Sequence, residues 1–148
     1  MRNAVEFLTG NHILNVSICA FFVAQVLKVI LVLILHKKLD FRRIIGSGGM
    51  PSSHSATVCA LAASVGKVEG LESPFFAIAT ITAIVVMYDA SNVRRAAGEQ
   101  AKILNYIMDH WDEKTPDFFT KELKELLGHT PFQVACGAAI GIAMGIFL

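Results

Sequence analysis

Apolar residues along the chain are gathered into four runs that are separated by polar segments. The runs are Ile13 to Leu35, Ser55 to Val68, Phe75 to Met87 and Pro131 to Leu148. The first run is long enough to cross a hydrocarbon core of about 30 Å, and its polar members include Gln25 and Lys28. The pattern predicts an all-α integral membrane bundle of about four transmembrane helices, which forms a single membrane-embedded domain over residues 1–148.

Two polar segments carry a helical pattern of their own. From Val93 to Trp111, charged and apolar residues alternate at helical spacing, which predicts a helix that lies at the membrane surface or emerges from the third span. Asp117 to Leu127 predicts a second short amphipathic helix. Ten of the thirteen Lys and Arg residues fall within 35–53 and 90–130, so the positive-inside rule places both segments in the cytosol and both termini outside.

Composition supports membrane embedding. The chain is 54% hydrophobic and 17% charged, whereas a soluble domain is nearer 45–50% and about 25%. A net charge of +1 gives no reason to expect a nucleic-acid partner. The first apolar run is too long for a cleavable signal and lacks a small-residue cleavage site. Cys19, Cys59 and Cys136 lie inside apolar runs, which favours packing over a disulfide or a zinc site.

The polar turn from Gly46 to Ser55 is the strongest candidate for chemistry. Its glycines let backbone amides approach a ligand, and Ser52 or Ser53 can cap a helix that carries His54 in its first turn. Such a helix start favours phosphate or sulfate, and a histidine there can transfer a proton. The alternative is a polar hairpin that only joins two membrane helices.

A second histidine precedes the last apolar run, and we expect it at the same membrane face as His54. Gly137, Gly141 and Gly145 form a stripe at four-residue spacing, which must face other helices because close packing is what glycines permit. His129 continues this series just before the helix, where Thr130 can cap it and Pro131 suits the first position. The topology therefore predicts that His54, the segment 89–95 and His129 lie at one membrane face.

Three stretches carry a resemblance to a known family. Gly48 to Ala56, Asp89 to Ala101 and Gly128 to Pro131 resemble, in order, motifs of the divergent branch of the type-2 phosphatidic acid phosphatase and vanadium haloperoxidase superfamily. The resemblance implies a helical membrane phosphatase that uses neither a metal nor another cofactor. In that mechanism one histidine attacks phosphorus, a second protonates the leaving group, and Lys and Arg hold the phosphoryl oxygens.

The resemblance implies roles for particular residues. His54 would be the proton donor, His129 the nucleophile, and Arg94 or Arg95 an oxyanion clamp. Substrate-binding residues would be Lys28, Arg42, Arg43, Gly48, Gly49, Ser52, Ser53, Asp89 and Gln133. Asp89 could orient a histidine or pair with Arg94, or it could only cap the next helix, and Lys28 could bind a ligand or snorkel to the interface.

The chain also departs from the superfamily pattern at several positions. Ser53 stands where glycine is usual, and Gln133 stands where an aspartate would orient the nucleophile. More than thirty residues separate Arg95 from His129, whereas the superfamily has five. The first motif is absent as such, and Lys28 with Arg42 or Arg43 is its proposed substitute.

The expected function is hydrolysis of a lipid phosphate monoester at the cytosolic face of the cell membrane. Phosphatidylglycerophosphate and phosphatidic acid are the candidate substrates, and polyprenyl diphosphate fits the topology less well. Membrane lipids are expected partners, and a homodimer is compatible with the apolar and small-residue surface. Two alternatives are a noncatalytic scaffold or phosphate-binding remnant, and a metal-dependent hydrolase with His54, His129 and Asp89 as ligands.

Overall fold

The fold is all-helical, as the apolar pattern predicts. The computed structural model describes residues 9–36, 49–110 and 128–148, and all regular structure within these ranges is helical. In chain order the elements are α1 (His12–His36), α2 (Ser53–Glu69), α3 (Pro74–Tyr88), a π-helical segment (Asp89–Val93), α4 (Arg94–Asp109) and α5 (Pro131–Phe147). Each predicted apolar run is thus a helix, with ends shifted by one or two residues.

Helix α2 lies at the centre of the bundle and packs against α1, α3 and α5. Its contact with α5 is a close backbone approach along the glycine stripe of α5. A Cβ atom added at Gly137 would clash with the carbonyl oxygen of Ser52, and one at Gly141 would clash with that of Ala56. The prediction that this stripe faces other helices is confirmed, and any side chain there would push the two helices apart.

Small residues in the core and large apolar residues on the outside complete the bundle. Val16 and Ala20 of α1 and Ala60 of α2 form a buried cluster, against which Met144 of α5 packs. Large apolar side chains on the outer faces of α1 and α3 are exposed, among them Phe22, Val26, Ile34, Phe75, Ile78, Ile81 and Val85. Outward-facing apolar surface of this extent is typical of helices in contact with lipid.

Two helical stretches of the described residues are long and apolar enough to cross a membrane. They are His12–Ile34 and Pro74–Met108. Helices α2 and α5 have 17 residues each, at the short end of the range that spans a bilayer. The count of four crossings therefore stays a prediction.

The second long stretch runs without a break from α3 through the π-helical segment into α4. The helix predicted near residues 93–111 thus emerges from the third apolar helix, which was one of the two expected arrangements. The amphipathic helix predicted at Asp117 to Leu127 lies outside the described residues.

The three cysteines are free thiols. Cys59 is buried, whereas Cys19 and Cys136 are half-buried. The Cys59 Sγ atom lies 3.6 Å from the Sδ atom of Met87, where α2 packs on α3. Cys59 is thus a packing residue.

Candidate functional site

Two capped helix starts form the framework of the site. Ser52 is the N-cap of α2, and its Oγ atom accepts a hydrogen bond from the Ser55 amide at 3.4 Å. Thr130 is the N-cap of α5, and Pro131 takes the first helical position. These caps were expected from the sequence, and they place His54 in the first turn of α2 and His129 directly before α5.

Backbone hydrogen bonds tie three separate chain segments together at these helix starts. The Ser52 amide donates to the carbonyl oxygen of Gln133 at 3.1 Å, which links the start of α2 to α5. The His129 amide donates to the carbonyl oxygen of Ala90 at 3.0 Å, which links the segment before α5 to the π-helical segment. The three stretches that carry the family resemblance therefore meet at one end of the bundle.

The two histidines lie beside each other at this end. Their ring centroids are 6.1 Å apart, and the ring planes are inclined by 62°. His129 is buried, with 3% of its surface exposed, and His54 is half-buried. The sequence predicts both imidazoles at one membrane face, and the structure places them side by side.

A contact with Gln133 determines which ring nitrogen of His129 carries a proton. The Gln133 Oε1 atom accepts a hydrogen bond from the Thr130 amide at 3.1 Å, which identifies this atom as the oxygen of the side-chain amide. The same oxygen lies 3.3 Å from Nδ1 of His129. Because an oxygen only accepts, Nδ1 must carry the proton, and in the neutral ring the lone pair is then on Nε2.

The start of α5 would attract an anion through its helix dipole more than through free backbone amides. The Thr130 amide is bonded to the Gln133 side chain, and the Gln133 amide donates to Oγ1 of Thr130 at 3.3 Å. Pro131 has no N–H group. An anion at this end of α5 would therefore be stabilised mainly by the positive end of the helix dipole.

The π-helical segment reshapes the chain beside the histidines. In a π-helical turn the regular ladder of hydrogen bonds is interrupted, and here the Ala90 carbonyl bonds to His129. Ser91 Oγ donates to the Met87 carbonyl oxygen at 3.0 Å, and Asn92 Nδ2 donates to that of Tyr88 at 3.3 Å. Local side chains thus compensate for the irregular backbone.

Asp89 is the first residue of this π-helical segment. The chain stays helical through this point, and the N-cap position of α4 is taken by Val93, without a side-chain cap. Its position next to Ala90, whose carbonyl binds His129, keeps it close to the site along the chain.

Lys28, on α1, lies near the start of α2. Only 2% of its surface is exposed. Its side chain lies against the turn that precedes α2, since a Cβ atom at Gly49 would be 3.4 Å from both Cγ and Cδ of Lys28. Gly49 has φ of +88°, a conformation that favours glycine. Within the described ranges Lys28 forms no ion pair with a carboxylate.

The other predicted site residues are placed less fully. Ser52 and Ser53 are buried at the start of α2, and Ser55 Oγ donates to Ser52 Oγ at 3.0 Å. Arg94 and Arg95 are the first two residues of α4, directly after the π-helical segment. Three predicted residues lie outside the described part of the chain: Arg42, Arg43 and Gly48.

The metal-dependent alternative finds no support in the part of the chain that the structure describes. No three His, Cys, Asp or Glu side chains of that part are grouped so that they could hold a metal ion. His54, His129 and Asp89 all belong to that part, so the proposed ligand set does not form there.

Two contributions to the site were missed by reasoning from the sequence. One is the π-helical segment with its Ala90 carbonyl, and the other is the Gln133 carbonyl that holds Ser52. The first had a weak signal, since Asp89, Ser91 and Asn92 are residue types that bond to nearby backbone. The second had none, because any residue has a carbonyl.

These features define a class of protein: a bundle of apolar helices with outward-facing aliphatic surface and a histidine pair at one end. Within that class, residues 9–144 match the divergent PAP2 family, and the chain belongs to this family. It is 41% identical, over an alignment of 154 positions, to the "Uncharacterized membrane protein YuiD" of Bacillus subtilis (strain 168). That alignment covers 97% of each chain. No solved structure matches the chain.

Proposed function

We propose that the protein is a membrane phosphatase that hydrolyses a lipid phosphate monoester through a histidine nucleophile, without a metal. The observation that carries the proposal is the separation of 6.1 Å between the ring centroids of His54 and His129. A nucleophile about 3–3.5 Å from phosphorus and a proton donor about 2.6–3.2 Å from an ester oxygen must both reach one phosphoryl group, and two neighbouring imidazoles can do so. Because the two rings contact each other, the phosphoryl group would lie beside the pair, within reach of a nitrogen of each ring.

The hydrogen bond between His129 and Gln133 supports the assignment of the nucleophile. With the proton on Nδ1, the lone pair of Nε2 attacks phosphorus, so an N–P bond forms while the ester P–O bond breaks. His54 donates a proton to the leaving oxygen, which departs as an alcohol. Water then attacks the phosphohistidine and gives a proton to His54, and the N–P bond breaks to release phosphate and restore both histidines.

Charge near the site supports binding of a phosphoryl group. Transfer of this group depends mainly on positioning and on stabilising the charge of its oxygens. Lys28 is a buried lysine beside the turn before α2, and the positive ends of the α2 and α5 dipoles lie at the same end of the bundle. Arg94 and Arg95, at the start of α4, complete the proposed clamp.

The test is phosphate release by the purified protein with phosphatidic acid and phosphatidylglycerophosphate. We expect His129→Ala to abolish release and His54→Ala to reduce it by about a hundred- to ten-thousand-fold. His110→Ala is the matched control, because His110 is exposed and the described contacts of its side chain are with Tyr106, whose carbonyl it bonds and whose ring centroid lies 4.2 Å away. Unchanged release in both site variants would refute the proposal.

The roles of the two histidines can be distinguished by comparing substrates with different leaving groups. The aryloxide of an aryl phosphate can leave without a proton. His54→Ala should therefore lose far less activity on an aryl phosphate than on an alkyl phosphate, whereas His129→Ala should lose activity on both. Activity should persist in excess chelator, and orthovanadate should inhibit it. Loss of activity on chelation would favour metal chemistry instead.

A second candidate function is phosphate binding without turnover. Gln133 is the observation that favours it, since a neutral amide stabilises a cationic imidazole less well than a carboxylate does. Under this alternative the wild-type protein binds orthovanadate but releases no phosphate from any lipid substrate.

The lipid assignment rests on the proposed topology. With the clusters of Lys and Arg in the cytosol, the site opens at the inner leaflet of the cell membrane. Phosphatidylglycerophosphate and phosphatidic acid are anionic lipids that would present their phosphate at that depth. Comparing kcat/KM across these two lipids and polyprenyl diphosphate tests the choice of substrate.

A further inference from the structure

An apolar groove lies between α2, α3 and α5, outside the histidine site. Its volume is about 720 Å³, within the range of small-molecule sites. The lining is almost wholly apolar, with Ala62 and Gly66 on α2, Met87 on α3 and Ile142 on α5 as representative members. Thr80 and Lys67 are the polar exceptions.

The groove is aligned with the histidine site. Its end nearest the histidines is at Cys59 and Met87, whose sulfur atoms are 3.6 Å apart. Cys59 follows His54 on the same helix by roughly 7–8 Å, and Ala62 follows it by roughly 12 Å, at 1.5 Å of rise per residue. One leaflet of hydrocarbon is about 15 Å thick, so most of the groove lies at the depth of one leaflet.

The far end of the groove is covered. A Cβ atom added at Gly66 would lie 3.0 Å from Leu71 Cδ2 and from ring carbons of Phe76, so these side chains lie over Gly66. A membrane-spanning helix of a partner would have to continue past this point. A hydrocarbon chain can end there, and it needs no polar contacts from the walls.

From this geometry we infer that the groove binds one acyl chain of the lipid whose phosphate binds at the histidine pair. The inference rests on the proposed function, because it is the phosphate site that gives the chain its direction. Shape and chemistry agree with one amphipathic ligand: an anionic group at the helix starts, and a chain that runs along α2 towards Gly66. The groove would thus make hydrolysis depend on chain length.

Chain-length dependence tests the inference. Ala62→Phe and Ile142→Trp each place an aromatic ring in the groove, and Ile142 is half exposed, so its replacement leaves the helix contacts in place. Each should lower kcat/KM by about tenfold or more for dipalmitoyl phosphatidic acid and by less than about twofold for the dihexanoyl lipid. Ile81→Phe is the matched control, because Ile81 is exposed on α3 and does not line the groove.

Thermal unfolding of each purified variant reports whether it folds. If both variants keep wild-type kcat/KM on both lipids, or lose both equally while still folded, the inference is overturned and the proposed function is untouched.

A labelling experiment gives a readout that does not need turnover. Phosphatidic acid with a photoreactive diazirine at the end of one palmitoyl chain should cross-link to the far end of the groove, near Gly66 or Phe76. Phosphatidylcholine with the same chain should do so far less, because it lacks the monoester phosphate. Equal yields from the two lipids would mean that any bilayer chain enters, which would overturn the inference. Labelling by phosphatidic acid in a protein that releases no phosphate would retain the inference and refute the phosphatase.

Discussion

Replacing Gln133 should separate two tasks that a single oxygen atom performs. Its Oε1 atom accepts from the Thr130 amide at 3.1 Å, which caps α5, and from Nδ1 of His129 at 3.3 Å, which holds the imidazole. Gln133→Leu removes both bonds while keeping similar bulk. The lost cap should lower the free energy of unfolding by about 1 kcal/mol.

The catalytic cost follows from the charge that His129 develops. As Nε2 bonds to phosphorus the ring becomes cationic, and a hydrogen bond to a charged group contributes about 1.5–3 kcal/mol. At about 1.4 kcal/mol for each factor of ten, Gln133→Leu should reduce kcat by about ten- to a hundred-fold. Gln133→Glu keeps the acceptor and adds a negative charge near the helix start and the ring, so activity should be retained or increased.

The assay is phosphate release, with thermal unfolding measured on the same samples. Thr130→Val is the matched control, since it removes the cap hydroxyl but leaves the contact between His129 and Gln133. It should lose stability by a similar amount with kcat within a few-fold of wild type. A Gln133→Leu protein with wild-type kcat would refute the role given to this residue.

Three further predictions concern packing, charge and topology. Gly141→Ala should lower the free energy of unfolding by about 1–3 kcal/mol, because its Cβ would clash with the Ala56 carbonyl, whereas Ala143→Leu on the exposed face should change the melting temperature little. Lys28→Met should fold normally but bind orthovanadate about tenfold or more weakly in a binding titration, and equal affinity would remove Lys28 from the site. In a cysteine-free background, an impermeant thiol reagent should label Leu71→Cys in intact cells and Ala96→Cys only after lysis, and the reverse pattern would invert the topology.

The helices and their caps could be predicted because their signals are local. A helix start needs Ser52 or Thr130 at the right offset, and a stripe such as Gly137 to Gly145 can face only another helix. The meeting of the two histidines needed one more step, the topology argument from the positions of Lys and Arg. The role of Lys28 could not be decided from the sequence, since its burial depends on the position of the turn at Gly49, which is distant along the chain.

What the sequence could not indicate is how the three chain segments are locked together. The bonds from Ser52 to the Gln133 carbonyl and from His129 to the Ala90 carbonyl use backbone groups, which every residue has. The second bond also depends on the π-helical segment, where the regular ladder is interrupted. Placing His129 therefore requires an irregular turn in a helix far away in the sequence. A substitution that restores regular α-helix there should displace His129 without touching either imidazole, so the π-helical segment belongs to the site as much as the histidines do.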